Sequence, residues 1–83
     1  ATLGLLLVPD VLDSTPAYVD DVVEGGPAAR ADLRPDDLVL LVDGKRVENQ
    51  RSLRRLLRTI DRRDDVELTV QRETQILPVV IRP

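Results

Sequence analysis

The sequence contains no cysteine and no histidine. Without cysteine there are no disulfides, thiolate metal sites or thiol nucleophiles, and the redox compartment is left undetermined. Without histidine the commonest general base is missing too, and no activated nucleophile is apparent in what remains, so the chain is read as a non-enzyme. Tyr18 is the only aromatic residue, which leaves nothing to stack on nucleic-acid bases or sugar rings. The formal net charge of −3 also argues against a phosphate-backbone partner, whose affinity is built from clustered Lys and Arg. No apolar run approaches the roughly 20 residues of a membrane span, so no membrane insertion is expected. The chain begins at Ala1 with neither a basic leader nor an initiator Met. It therefore reads as a single domain, 1–83, cut or processed from a larger protein, with its compartment unknown from these residues.

What is present is aliphatic and charged: 42% of the residues are hydrophobic and 33% charged, the balance of a globular chain. A domain of this size buries only about 60–65% of its unfolded surface, which leaves room for one core. Leu5-Leu6-Leu7-Val8, cut off by Pro9, suits one buried strand. Residues 10–16, rich in turn formers, read as a mobile connection. Ala17 to Val23 suits a strand in which Asp20-Asp21 breaks strict alternation, so a bulge is expected. Glu24-Gly25-Gly26-Pro27 is a turn that places Pro27 first in a short helix ended by Asp32 to Asp37. Leu38 to Val42 is a second aliphatic strand, and Asp43-Gly44 is a hairpin signal leading to Lys45-Arg46-Val47.

Asn49 is placed to cap a longer helix, with Leu53, Leu56, Leu57 and Ile60 on one stripe. The charged turn from Asp61 to Asp65 follows, and Val66, Leu68 and Val70 then alternate with polar residues as in a half-buried strand. Arg72-Glu73-Thr74-Gln75 reads as the turn into a last strand, Ile76 to Ile81, which Pro78 restricts to an edge. The sum is mainly β with two helices, an α+β arrangement. It predicts a small antiparallel sandwich or half-open barrel of five to six strands, capped by one long and one short helix.

Gly4 is the unusual member of the first strand. An interior glycine marks a bulge in a buried edge strand, or a place where bare N–H groups face a ligand, and this stretch alone leaves both open. The paired aspartates at 20–21, 36–37 and 64–65 are weak candidates for acid–base or metal chemistry. Neighbouring strand residues face opposite ways, and no D-x-D-x-D-G loop occurs. A Ser–Lys dyad would have to recruit Lys45 from a hairpin, where an exposed ammonium is no base at neutral pH. The helix stripe reads first as core, and Arg51, Arg54, Arg55 and Arg58 as a solvated face.

The run from Gly25 to Val47, beginning Gly25-Gly26-Pro27-Ala28-Ala29-Arg30-Ala31-Asp32-Leu33 and ending Val42-Asp43-Gly44-Lys45-Arg46-Val47, resembles bacterial PDZ domains attached to HtrA/Deg serine proteases. Those read roughly G-S-P-A-A-x-A-G-L-x-x-G-D-x-I-x-x-V-N-G. The likeness extends to the helix led by Leu53 and to the final strand pair, and so covers nearly the whole chain. Asp32 and Asp36 stand where the family has glycine, and Asp43 where asparagine is common. Aspartate tolerates positive φ better than most residues, so these turns are expected to survive at about 1 kcal/mol each. Thr2 replaces the usual aromatic before the loop, which bears on the shape of the pocket and not on its backbone donors.

The resemblance implies that Thr2, Leu3, Gly4 and Leu5 form a carboxylate-binding loop. A peptide C-terminus would add as an antiparallel strand along Leu5, Leu6, Leu7 and Val8. Its last side chain would enter an aliphatic pocket with walls from Leu3, Leu5 and Leu7 on the strand side and from Leu53 and Leu57 on the helix side. Gln50 and Arg54 would look onto the groove. The implied partners are C-terminal or extended peptide segments, and a serine protease domain linked in the parent chain. No cofactor is implied, and the compartment would be periplasmic or otherwise extracytoplasmic. The alternative is a structural or assembly domain that packs on its own protease or on a sister subunit.

Overall fold

The computed structural model describes residues 4–7, 15–60 and 63–82; the connection expected over 10–16 lies mostly outside them, as do Asp61 and Arg62. In chain order the elements are β1 (Leu5–Leu7), β2 (Val19–Val22), α1 (Pro27–Arg30), β3 (Leu38–Val42), β4 (Lys45–Arg46), α2 (Gln50–Arg58), β5 (Val66–Arg72) and β6 (Gln75–Ile81). The strands form two antiparallel sheets and no closed barrel: β1 pairs with β2, and the other four stand in the order β4-β3-β5-β6. Pro78 lies on β6, an edge strand of the larger sheet, where its missing N–H removes no central ladder bond.

Side-chain parity fixes the core face. Val66, Leu68 and Val70 from β5 and Val79 and Ile81 from β6 are buried, while Glu67, Gln71, Pro78 and Val80 between and beside them are exposed. In β3 both Val39 and Val42 are buried although three residues apart, because the register on β5 shifts between Val39 and Leu41. Leu53 from α2, Ala28 from α1 and Val19 from β2 close the same cluster. The register of β1 on β2 steps from Leu6↔Asp21 to Leu7↔Val19, so Asp20 is the extra residue of the expected bulge.

The capping and turn chemistry follows the sequence closely. Pro27 opens α1, and the Asn49 carboxamide accepts from the Ser52 N–H at 2.8 Å at the start of α2. Asp43 and Gly44 have φ of 48° and 81°, the paired left-handed residues of a two-residue hairpin. Asp43 is also tied to β5, since its carboxylate accepts from Glu67 N–H and its own N–H donates to Glu67 O. Asp32 and Asp36 adopt the left-handed backbone expected of these turns, at φ 65° and 72°.

Two boundaries differ from the sequence reading. Arg72 and Gln75 are not turn residues but the last pair of the β5–β6 ladder. The turn is only Glu73-Thr74, made possible by a left-handed Glu73 at φ 56°. Ile60 lies past the end of α2, because Thr59 caps the helix and its hydroxyl donates to Leu56 O at 2.7 Å.

Candidate functional site

Gly4 begins the site. Its φ of +78° is open to glycine and strained for other L-residues, and its carbonyl accepts the Val23 N–H. A Cβ there would meet Gly26 Cα and Pro27 Cδ at 3.5 Å and Val23 Cβ at 3.6 Å, ordinary contact distances. Backbone conformation rather than crowding therefore demands glycine. Gly26 is the converse: its backbone is extended, but a Cβ would stand 3.1 Å from Val23 O. The Gly4 bend is thus seated on the Gly26-Pro27 turn, and Pro27 fixes that turn by starting α1.

From this bend the chain runs into β1. One edge of β1 pairs with β2, and the other has no strand partner among the described residues. Leu5 and Leu7 are half-buried against the core, and Leu6 is 52% exposed. Across the core lies α2. Leu53 is only 1% exposed and belongs to the floor, whereas Leu56 and Leu57 are half-buried and pack on the same cluster. Arg54 is exposed. Gln50 is enclosed rather than open to solvent, and its N–H donates to Thr15 O at 2.7 Å. The structure thus brings Leu5, Leu7, Leu53 and Leu57 onto one apolar body. Thr2, Leu3 and Val8 lie outside the described residues.

The strongest electrostatic feature was not anticipated from the sequence. The Asp37 carboxylate, 1% exposed, accepts from Arg72 Nε at 2.9 Å, from Arg72 Nη2 at 2.8 Å and from the Arg34 N–H at 3.0 Å. Burial pushes this carboxyl up, but these hydrogen bonds and the charges of Arg72 and Arg34 outweigh it and hold the group below its ordinary value. Arg72 Nη2 also donates to Asp32 O at 3.0 Å. The signal for the pair was parity: Arg72 continues the core-facing series Val66, Leu68, Val70, and a charge in that phase calls for a buried partner.

Among the described residues no group of three or more potential metal-binding side chains occurs, and no helix is long and apolar enough to cross a membrane. The described part of the site offers a strand edge without a strand partner among the described residues, a left-handed glycine and an aliphatic floor.

The chain resembles known proteins in sequence and in fold. A "Probable periplasmic serine endoprotease DegP-like" from Halomonas elongata is 43% identical over 56 residues, 68% of this chain and 12% of that protein. One of the same description from Chlamydia muridarum is 34% identical over 65 residues, 78% of this chain and 13% of that protein. The chain thus spans about an eighth of the length of the curated relatives it matches. The solved structure of the HtrA-type protease AlgW with decapeptide superimposes with a TM-score of 0.72 at 24% identity, covering 98% of this chain and 28% of that one, which shows the fold. The family profile described as PDZ domain matches residues 3–82. The chain belongs to the PDZ domain family.

Proposed function

We propose that this domain binds the hydrophobic C-termini of proteins by strand addition and serves a serine protease in the same parent chain. The observation that carries the reading is the left-handed Gly4 opening directly into β1, whose outer edge has no strand partner among the described residues. An incoming peptide would exchange main-chain hydrogen bonds with Leu5-Leu6-Leu7-Val8, its carboxylate held by N–H groups around Leu3, Gly4 and Leu5 behind Thr2. Its last side chain would sit among Leu3, Leu5, Leu7 and Leu57 above Leu53. An aliphatic pocket selects Val, Leu, Ile or Ala at that position. Arg54, exposed on α2, would meet residues upstream of the terminus, and the enclosed Gln50 would brace the helix flank.

The relatives and the fold support the wider role. The curated relatives are named as DegP-like endoproteases, and the AlgW structure was solved with a decapeptide. In the parent protein the domain would recognise substrate C-termini or relay their binding to the protease, and the relatives' name supports a periplasmic setting. Chemistry would reside in the protease and not in this domain.

The test is NMR shift mapping with a ten-residue peptide ending Ala-Val-Val, as the free acid and as the C-terminal amide. The expected result is shifts at Gly4, Leu5 to Leu7 and along Gln50 to Leu57 with the acid, lost with the amide. If neither form moves these residues across a varied set of endings, terminus binding is refuted and the alternative, a structural or assembly role, takes its place as the reading to test.

A further inference from the structure

The site strand is joined to the rest of the molecule by a narrow set of bonds. Among the described residues β1 pairs only with β2, and these two form a sheet of their own. The two sheets are linked at the start of β2. Tyr18 bridges Leu38, and the Val39 N–H donates to Ala17 O at 3.0 Å. Both main-chain groups of Val19 are taken by the neighbouring loop: its N–H donates to Asp37 O at 2.9 Å, and its carbonyl accepts from Asp36 N–H at 2.8 Å. Val19 is in turn the residue that faces Leu7 of β1.

The loop holding Val19 is restrained from within, by Arg34 on the Asp32 carboxylate and by the Asp37 N–H on Arg34 O, and also from outside. It has a left-handed aspartate at each end, Asp32 and Asp36, and such residues keep that conformation where surrounding contacts over-determine it. Arg72 supplies the outside contacts from the end of β5, in the middle of the larger sheet. One guanidinium grips the Asp37 carboxylate through Nε and Nη2, and the same Nη2 also donates to the Asp32 carbonyl. This fork geometry fixes direction as well as distance, which a lysine could not do.

We infer that Arg72 is a positioning residue for the peptide-receiving edge, acting through Asp37 and Val19 on β2 and so on β1. Its bonds go to Asp37 and Asp32, on the loop and not on β1. It sets where the small sheet stands relative to the large one, and with it the place of β1 against the apolar cluster that Leu53 and Leu57 share. The binding consequence rests on the peptide-addition reading; the positioning of β1 and β2 does not.

The experiment compares the wild type with Arg72→Met, Arg72→Lys and Val66→Ala under conditions where each is folded. Val66→Ala is the control, a core truncation in the same strand away from the loop. Amide hydrogen exchange is read first, without ligand. In Arg72→Met the Val23 N–H, bonded to Gly4 O, is expected to exchange at least tenfold faster relative to the β5 amides Leu68 and Val70 than it does in wild type. In Val66→Ala that ratio stays within about twofold. Binding of the free-acid Ala-Val-Val peptide is then expected to weaken at least tenfold in Arg72→Met and less in Arg72→Lys, with Val66→Ala within twofold of wild type. Uniform or unchanged exchange in Arg72→Met overturns the inference, as does wild-type peptide affinity in that variant. If Arg72→Met does not fold, Arg72→Lys decides by the same exchange ratio, because it keeps the charge and loses the fork. If the wild type itself binds no peptide, the peptide reading fails while the exchange result still judges the positioning role.

Discussion

Replacing Gly4 by alanine isolates one physical effect. The added methyl finds room, since its nearest neighbours stand 3.5 to 3.6 Å away, so neither crowding nor a cavity enters. What remains is the backbone: at φ +78° an L-residue costs about 1–2 kcal/mol. Alanine also stiffens the unfolded chain, which returns roughly 0.4–1 kcal/mol. The net expectation is a loss of about 1 kcal/mol, or a fall in Tm of roughly 4–8 °C for a domain of this size. Asparagine tolerates the left-handed region and should lose less, whereas valine, branched at Cβ, should lose more. Thermal and urea unfolding of the Gly, Asn, Ala and Val series reads the order directly. Peptide affinity should fall in the same order, because a loop that escapes the strain by turning its peptide planes also turns away the N–H groups offered to a carboxylate. Equal stability of the alanine and valine variants, or an alanine variant as stable as wild type, would refute the conformational account.

Three further outcomes are expected. The folded-state value of Asp37 lies below its ordinary 3.8, so its contribution to stability is complete above about pH 5 and is lost as pH falls through 3.8 toward the folded value; unfolding curves across that window should flatten in Asp37→Asn. Asn49→Ala removes the acceptor for Ser52 N–H at 2.8 Å and Ser52 Oγ at 3.1 Å, and should cost about 1 kcal/mol, with exchange loosened first at the start of α2. Leu53→Ala truncates a side chain that is 1% exposed and should lose about 2–5 kcal/mol, whereas Leu57→Ala, half-buried, should lose less and shift the preferred terminal residue of a bound peptide from Val toward Leu, read by competition between peptides.

Much of the fold was legible because local chemistry and burial agree. Pro27, Asn49 and the Asp43-Gly44 pair each specify a local geometry that the rest of the chain accepts, and the 66–70 alternation states which face is inside. The boundaries that moved did so where one residue departed from its usual conformation. Glu73 adopts a left-handed backbone that nothing in its side chain advertises, and this shortens the expected turn and carries Arg72 and Gln75 into the ladder. The core stripe of α2 was equally plain, but the depth of each position was not. Periodicity puts Gln50, Leu53 and Leu57 near one face, yet only packing decides that the first two are enclosed and the third half-open.

The site divides along the same line. Gly4 could be singled out from sequence because glycine in a strand asks for a reason, and the left-handed bend on the Gly26-Pro27 turn supplies it. Asp37 and Arg72 could not be paired that way: the phase of β5 marks Arg72 as turned inward, but its partner lies 35 residues away and nothing in the sequence names it. Their union follows from two constraints acting at once. The phase of β5 turns Arg72 inward, where an unpaired guanidinium is costly, and the strained loop between Asp32 and Asp36 needs an anchor. One contact meets both needs, and because the same loop holds Val19, it also places β2, the strand on which β1 and its open edge are paired.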